Sequence, residues 1–262
     1  MGYKTSMKNW EGLAQTDALW SILTDKKLRG EKWDKAQFFE SGRLEVDNIL
    51  DYLKEKNIQP IDWNSVMDFG CGAGRVSRAL SDYFENITGV DASPTMIALA
   101  VEENKDFADK INFKLNQAED LKQFSDDSFS MTFTVITLQH IPSEQSSGFI
   151  SEFIRLIKPG GLAVFQVPTK DVRQLSITQR LRSFLRIRER LALVGIGKGF
   201  QMDMYPISEE RIVQMIKNAG GEVKLAVNTN QTEPDYNGDV KFLKEGQAAS
   251  GYLSRLFVVS KS

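Results

Sequence analysis

Beyond Ser65 the chain alternates two apolar rhythms. Short runs rich in apolar and β-branched residues, each a strand in length, are separated by stretches whose apolar positions recur at helical spacing. The runs predict a first strand that ends in Asp68, then strands at Asn86–Val90, Ile111–Leu115, Met131–Ile136 and Leu162–Val167. The intervening stretches predict helices over Arg75–Phe84 and Met96–Glu103, and a third opened by Pro142-Ser143 and stopped by Lys158-Pro159-Gly160-Gly161. Ser93 and Pro94 fit the N-cap and first turn of the second of these helices. A last helix, Glu209–Ala219, has Ser208 as N-cap and ends at Gly220-Gly221. Two closing strands follow, Glu222–Val227 and Tyr252–Val259. Ahead of this core, Trp10, Leu13, Trp20, Ile22 and Leu23, then Leu44 to Leu53, repeat at helical intervals. Strands separated by helical patterns imply an α/β fold with a parallel, doubly wound sheet and helices on both faces. Ligands in such sheets bind beyond the carboxyl ends of the strands, where the strand order reverses.

In Val66-Met67-Asp68-Phe69-Gly70-Cys71-Gly72-Ala73-Gly74-Arg75 the first run ends in Asp68 and breaks into glycines. Three glycines at alternate positions, between a strand and a helix, let backbone N–H groups approach a ligand with no Cβ in the way. The second run ends in Asp91, twenty-one residues past Gly70. An acid at that point can accept hydrogen bonds from both hydroxyls of a ribose. These features describe a pocket for a nucleoside-bearing cofactor. A dinucleotide fingerprint, G-x-G-x-x-G, would need glycine where Arg75 or Ser77 stands, so neither register fits a nicotinamide enzyme.

Composition narrows the function. The 262 residues are 41% hydrophobic and 26% charged, as in an ordinary globule with a full core. A net charge of −2 argues against a general nucleic-acid binder. One cysteine, Cys71, excludes an internal disulfide and suits a cytoplasmic setting. One histidine and one cysteine cannot assemble a usual zinc site, and no metal is expected. The chain shows no leader-like apolar segment and no run long enough to span a membrane.

The spacing Asp-x-Gly-x-Gly-x-Gly closely resembles motif I of the class I S-adenosylmethionine-dependent methyltransferases. Gln117-Ala118-Glu119-Asp120-Leu121, with Asp126-Asp127-Ser128-Phe129, is similar to the family's G-D-A-E-x-L…D-x-S-F segment. Leu138-Gln139-His140-Ile141-Pro142 resembles its L-H-H-I-P, and Ile157-Lys158-Pro159-Gly160-Gly161 its L-K-P-G-G. The likeness covers about residues 63–168. It implies a Rossmann-like sheet of seven strands, mostly parallel with the last antiparallel, and S-adenosylmethionine as cofactor. It also implies that Asp68, Gly70, Cys71, Gly72 and Gly74 lie at the methionine end of that cofactor, that Asp91 holds the ribose, and that Ala92 and Met96 pack at the adenine. Gln117, Ala118 and Glu119 would meet the adenine edge, with Gln117 standing where the family has an acid. Ile136, at the end of the fourth strand, would complete the wall. Phe38 to Arg43 resembles a lid segment, in which Arg43 would pair with the methionine carboxylate.

Residues 1–58 are therefore expected as a helical lid on a core of residues 59–262, with 169–206 as a helical insertion that helps build the acceptor site. Arg173, Arg180, Arg182, Arg186, Arg188 and Arg190 fall within that insertion. They suggest an anionic small-molecule acceptor or peripheral contact with a membrane surface. His140, where the fourth strand opens toward the pocket, is the candidate general base. The expected activity is methyl transfer to oxygen or nitrogen of a small metabolite or of a sugar- or lipid-linked acceptor. The alternative is a cofactor-binding module without chemistry.

Overall fold

The computed structural model describes residues 2–24, 26–173, 202–233, 236–244, 247 and 251–261. Most of the helical insertion expected over 169–206, with five of its six arginines, lies outside them.

All seven expected strands form: β1 (Ser65–Phe69), β2 (Asn86–Asp91), β3 (Ile111–Leu115), β4 (Phe129–Thr134), β5 (Ile157–Asp171), β6 (Gly221–Thr229) and, last in the chain, β8 (Tyr252–Lys261). A two-residue strand, β7 (Phe242–Leu243), adds an eighth at the edge. The order is β3-β2-β1-β4-β5-β8-β6-β7. Strands β1 to β5 run parallel, and β8 slots antiparallel between β5 and β6. The order reverses at β1, so the crevice beyond β1 and β4 is the predicted ligand position.

Helix α3 (Arg75–Leu80) follows β1, α4 (Pro94–Glu103) follows β2, α5 (Ser143–Leu156) follows β4, and α6 (Glu209–Asn218) precedes β6. Their caps form as the sequence requires. The Ser93 hydroxyl accepts from Met96 N–H at 3.0 Å, and that of Ser208 from Arg211 N–H at 3.4 Å. Strand periodicity sends alternate residues to opposite faces. Met67, Phe69, Phe165 and Phe257 pack with α5 and α6 on one face, and Val66, Met131, Val164 and Val258 lie on the other. No helix among the described residues is long and apolar enough to cross a membrane.

The N-terminal residues divide into two helices with different tasks. Helix α2 (Lys35–Glu55) buries Val46, Ile49 and Leu53 in the second core beside Val76 and Leu80 of α3, as a layer of the sheet rather than a cover. Helix α1 (Tyr3–Ile22) alone lies over the crevice. Asp17 of α1 holds the segment that leads to α2, its carboxylate accepting from the N–H groups of Gly30 and Glu31 at 2.6 and 3.1 Å.

A buried ion pair fixes α2 to α3. Arg75 is 2% exposed and Glu45 is fully buried, and the guanidinium donates to the Glu45 carboxylate. That carboxylate also accepts from Gln231 Nε2 at 2.9 Å and from the Tyr236 hydroxyl. One acid thus ties α2, α3 and the loop after β6. Removing a partner from a buried pair strands the remaining charge. Glu45→Ala should lose about 3–5 kcal/mol of stability in urea unfolding. The paired replacement Glu45→Leu with Arg75→Met should recover most of it; a double variant as unstable as the single one would contradict this assignment.

Candidate active site

Beyond β1 the chain turns through Gly70 (φ 77°) and Gly72 (φ 52°), in the left-handed region that favours glycine. A Cβ on Gly70 would overlap the Thr137 side chain, and one on Gly72 would sit 2.7 Å from Ile22 Cδ1 of α1. The turn is pinned to the next strand, since Gly70 and Cys71 N–H both donate to Val90 O, at 2.7 and 3.1 Å. Asp91 closes the arrangement. One carboxylate oxygen accepts from Gly72 N–H at 3.0 Å and the other from Ser93 N–H at 2.8 Å. Burial pushes the Asp91 pKa up, while these backbone donors oppose the rise. A carboxylate has about four acceptor positions, so each oxygen keeps capacity for a ligand hydroxyl.

These residues wall a cleft whose empty space, open solvent included, is about 890 Å³. Its floor comes from the ends of β1, β2 and β4, and its roof from Tyr3, Met7 and Trp10 of α1. Helix α1 is latched at mid-length. Glu11 accepts from the hydroxyls of Ser93 and Thr95, each at 2.5 Å, and these bonds hold its carboxyl below the usual glutamate range. No sequence pattern singled out Tyr3, Trp10 or Glu11 for this role.

The structure brings Gly70, Gly72, Asp91, Ala92, Met96, Ile136 and His140 to this cavity. Several other expected residues lie elsewhere. Arg43 is on the outer face of α2, half exposed and paired with Glu40 and Asp47, because the turn of the helix that reaches the core carries Gly42 and Glu45 instead. Asp68 is buried behind the turn, accepting from Ser77 Oγ at 2.6 Å; burial raises its pKa to about 7. Cys71 is buried outside the cavity wall. Gly74 starts α3, where a Cβ would crowd Asn104 and Phe113. Gln117, Ala118 and Glu119 are exposed at the rim. Gln117 Nε2 donates to Ala92 O at 3.3 Å, Ala118 O accepts from the Tyr3 hydroxyl, and Glu119 accepts from Gln145. Asn116 takes their place on the wall.

A second cavity, about 940 Å³ with open solvent included, shares Ser21, Ile22, Ile136 and His140 with the first. Met202, Met204, Tyr236 and Tyr252 supply much of its remaining surface. Ile136, at the partition, has φ 50°, a strained value for a β-branched residue that costs of order 1–3 kcal/mol. Its N–H donates to Gln166 Oε1 at 2.9 Å. That unambiguous donor orients a chain of amides. The Gln166 NH2 faces Gln139 Oε1 (3.3 Å), so the Gln139 NH2 faces His140 Nε2 (3.0 Å). At the other ring nitrogen Asp203 O can only accept, at 2.9 Å, so Nδ1 carries the proton. His140 is neutral, its tautomer is set from both sides, and removal from water pushes its pKa down to about 4. Trp10 packs against the ring with centroids 4.9 Å apart.

A family model described as a methyltransferase domain matches residues 66–161, a span that holds the glycine turn, Asp91, Ile136 and His140. Over those residues the chain is a methyltransferase domain of the class I S-adenosylmethionine-dependent kind. Among its relatives, a ubiquinone biosynthesis O-methyltransferase of Hydrogenovibrio crunogenus is 28% identical over 147 residues, 56% of this chain and 59% of that protein. One from Actinobacillus pleuropneumoniae is 26% identical over 198 residues, covering 74% of this chain and 76% of its own. The match thus spans less than two thirds of the Hydrogenovibrio protein. Two solved structures share the fold. A putative sarcosine dimethylglycine methyltransferase from Galdieria sulphuraria superposes with TM-score 0.58 at 17% identity, over 84% of this chain and 86% of that one. Magnesium protoporphyrin IX methyltransferase from Synechocystis with bound S-adenosylmethionine gives TM-score 0.56 at 16% identity, over 96% and 97%.

The cofactor of this methyltransferase family is S-adenosylmethionine, and the residues present suit it. The turn at Gly70 leaves no room for a side chain, Asp91 retains acceptor capacity at the cavity wall, and Ala92 and Met96 offer an apolar surface to a base.

Two outcomes follow from this geometry. Asp91→Ala should weaken binding of S-adenosylhomocysteine at least roughly tenfold by calorimetry, since two charge-assisted bonds and the loop anchor go together. Unchanged affinity would remove Asp91 from the site. The Asp68 carboxyl has a folded-state pKa of about 7 against 3.8 for the free side chain, so its folded form binds more protons between those values. Wild type should therefore lose stability relative to Asp68→Asn as the pH rises from about 4 through about 7. Parallel stability curves for the two proteins would contradict the burial of Asp68.

Proposed function

We propose that this methyltransferase moves a methyl group from S-adenosylmethionine to a hydroxyl oxygen of a small, ring-bearing acceptor held in the second cavity. The supporting observation is the shared partition. Ile22, Ile136 and His140 border both cavities, so an acceptor in one meets a cofactor in the other there. The choice of oxygen follows the relatives named as O-methyltransferases. Tyr236, Tyr252, Met202 and Met204 offer a flat ring both aromatic and thioether contacts.

S-adenosylmethionine supplies a methyl group already activated on a sulfonium, with a neutral thioether as leaving group. What remains for the protein is alignment and the exclusion of water. Helix α1 roofs the first cavity, and Glu11 holds it shut against α4. His140 is proposed as the catalytic-site group at the partition, where its fixed neutral ring orients the acceptor beside Trp10. A reducing, cytosolic setting fits a chain whose only cysteine is buried in the glycine turn.

Incubation with a metabolite extract and isotopically labelled methyl donor should give a labelled methyl ether, identified by mass. Labelled product methylated only on nitrogen or sulfur would overturn the reading. His140→Ala should lower kcat/KM roughly ten- to a hundredfold, with cofactor affinity unchanged. Because the imidazole is neutral across the range, the wild-type kcat/KM should show no inflection between pH 5.5 and 7.5. An inflection there that vanishes in His140→Ala would instead make His140 a titrating base.

A further inference from the structure

O-methylation of a neutral hydroxyl needs a group to take its proton, and His140 is poorly placed for that. Its Nε2 lone pair is engaged by Gln139, and its pKa lies near 4. Other ionisable groups of the second cavity are also committed. The Tyr236 hydroxyl donates to the buried Glu45 carboxylate. Arg173 is paired with Asp171 at 2.7 Å and lies over the Tyr252 ring at 4.6 Å. The Tyr252 hydroxyl has no hydrogen-bond partner among the described residues, but burial raises its pKa and keeps it protonated. Glu233 is the uncommitted carboxylate. It lies on the wall of the second cavity, half-buried, and its carboxylate has no hydrogen-bond or ion-pair partner among the described residues.

The turn that carries Glu233 is held by the residues before it and by Tyr236 N–H, which donates to Glu233 O at 3.2 Å. Gln231, two residues before it, donates to Glu45, and Thr232 Oγ1 donates to Tyr252 O at 2.8 Å. The Glu233 N–H closes the turn onto Asn230 O at 2.9 Å. A carboxylate is thus fixed in backbone position on the cavity wall while its side chain stays available. Leaving a half-buried acid without a partner costs stability that a structural role would not require.

We propose that Glu233 is the catalytic residue that binds the acceptor hydroxyl and takes its proton during methyl transfer. This rests on the hydroxyl-acceptor reading given above. The acceptor oxygen forms its bond to the methyl carbon as the carbon–sulfur bond breaks and that electron pair returns to sulfur. The hydroxyl proton passes to the Glu233 carboxylate and from there to water.

The test compares wild type, Glu233→Gln and Glu233→Asp on para-substituted phenols from 4-methylphenol to 4-nitrophenol at pH 8.5, with labelled S-adenosylmethionine. On 4-methylphenol, whose hydroxyl is protonated, Glu233→Gln should lower kcat at least roughly a hundredfold, the usual contribution of a general base. On 4-nitrophenol, already ionised, the loss should shrink below about tenfold, because no proton remains to be taken. Glu233→Asp should retain part of the activity, and affinity for S-adenosylhomocysteine should stay unchanged in both variants. Equal losses across the series, or no loss at all, would overturn the role of Glu233 while leaving O-methylation intact. A wild type that binds S-adenosylhomocysteine but methylates none of these phenols would sink the ring-hydroxyl reading, and this inference with it.

Discussion

The site depends on one carboxylate accepting from two loops at once. Asp91 holds Gly72 N–H on one side and Ser93 N–H on the other. The first bond shapes the glycine turn after β1, and the second sets the start of α4. Ser93 then receives Glu11 from α1, so floor, wall and roof converge within a few residues of one acid. Charge-assisted bonds to backbone amides are roughly twice as strong as neutral ones. They explain how an acid survives here despite the desolvation that raises its pKa.

A second constraint runs beneath both cavities. From His140 the hydrogen bonds pass through Gln139, Gln166, Ser254, Thr229 and Gln231 to Glu45, and end on Arg75. Each of these side chains except that of His140 is buried. Buried polar chains of this kind select one arrangement of the core, because a half-satisfied network costs more than none. Here the selected arrangement includes the strained Ile136 and the single tautomer of His140, both at the partition between the cavities. Polar residues inside β5 and at the ends of β6 and β8, where a core strand would ordinarily be apolar, thus have a physical reason.

What the sequence made legible was local. Alternating glycines, an acid at the end of β2, and Ser93-Pro94 as a helix start are short-range signals, and the chain forms them where their chemistry requires. Arg43 shows how a local signal can mislead. Its flanking acids, Glu40 and Asp47, sit at helical i±3 and i±4 spacing, which marks a solvated ladder rather than a ligand-facing residue. The contacts that could not be read were long-range. Glu45 meets Arg75 and Tyr236, and Glu11 meets Ser93 and Thr95 across some eighty residues. No periodicity encodes such pairings. They follow only once the sheet order has brought the strand ends together.

A crystal structure of the complex with S-adenosylhomocysteine decides whether Asp91 holds the ribose. Both ribose hydroxyls should lie within hydrogen-bonding distance of the Asp91 carboxylate, the base against Ala92 and Met96, and Tyr3 and Trp10 closed over the ligand. A ribose held by other groups, with Asp91 turned away, would contradict that arrangement.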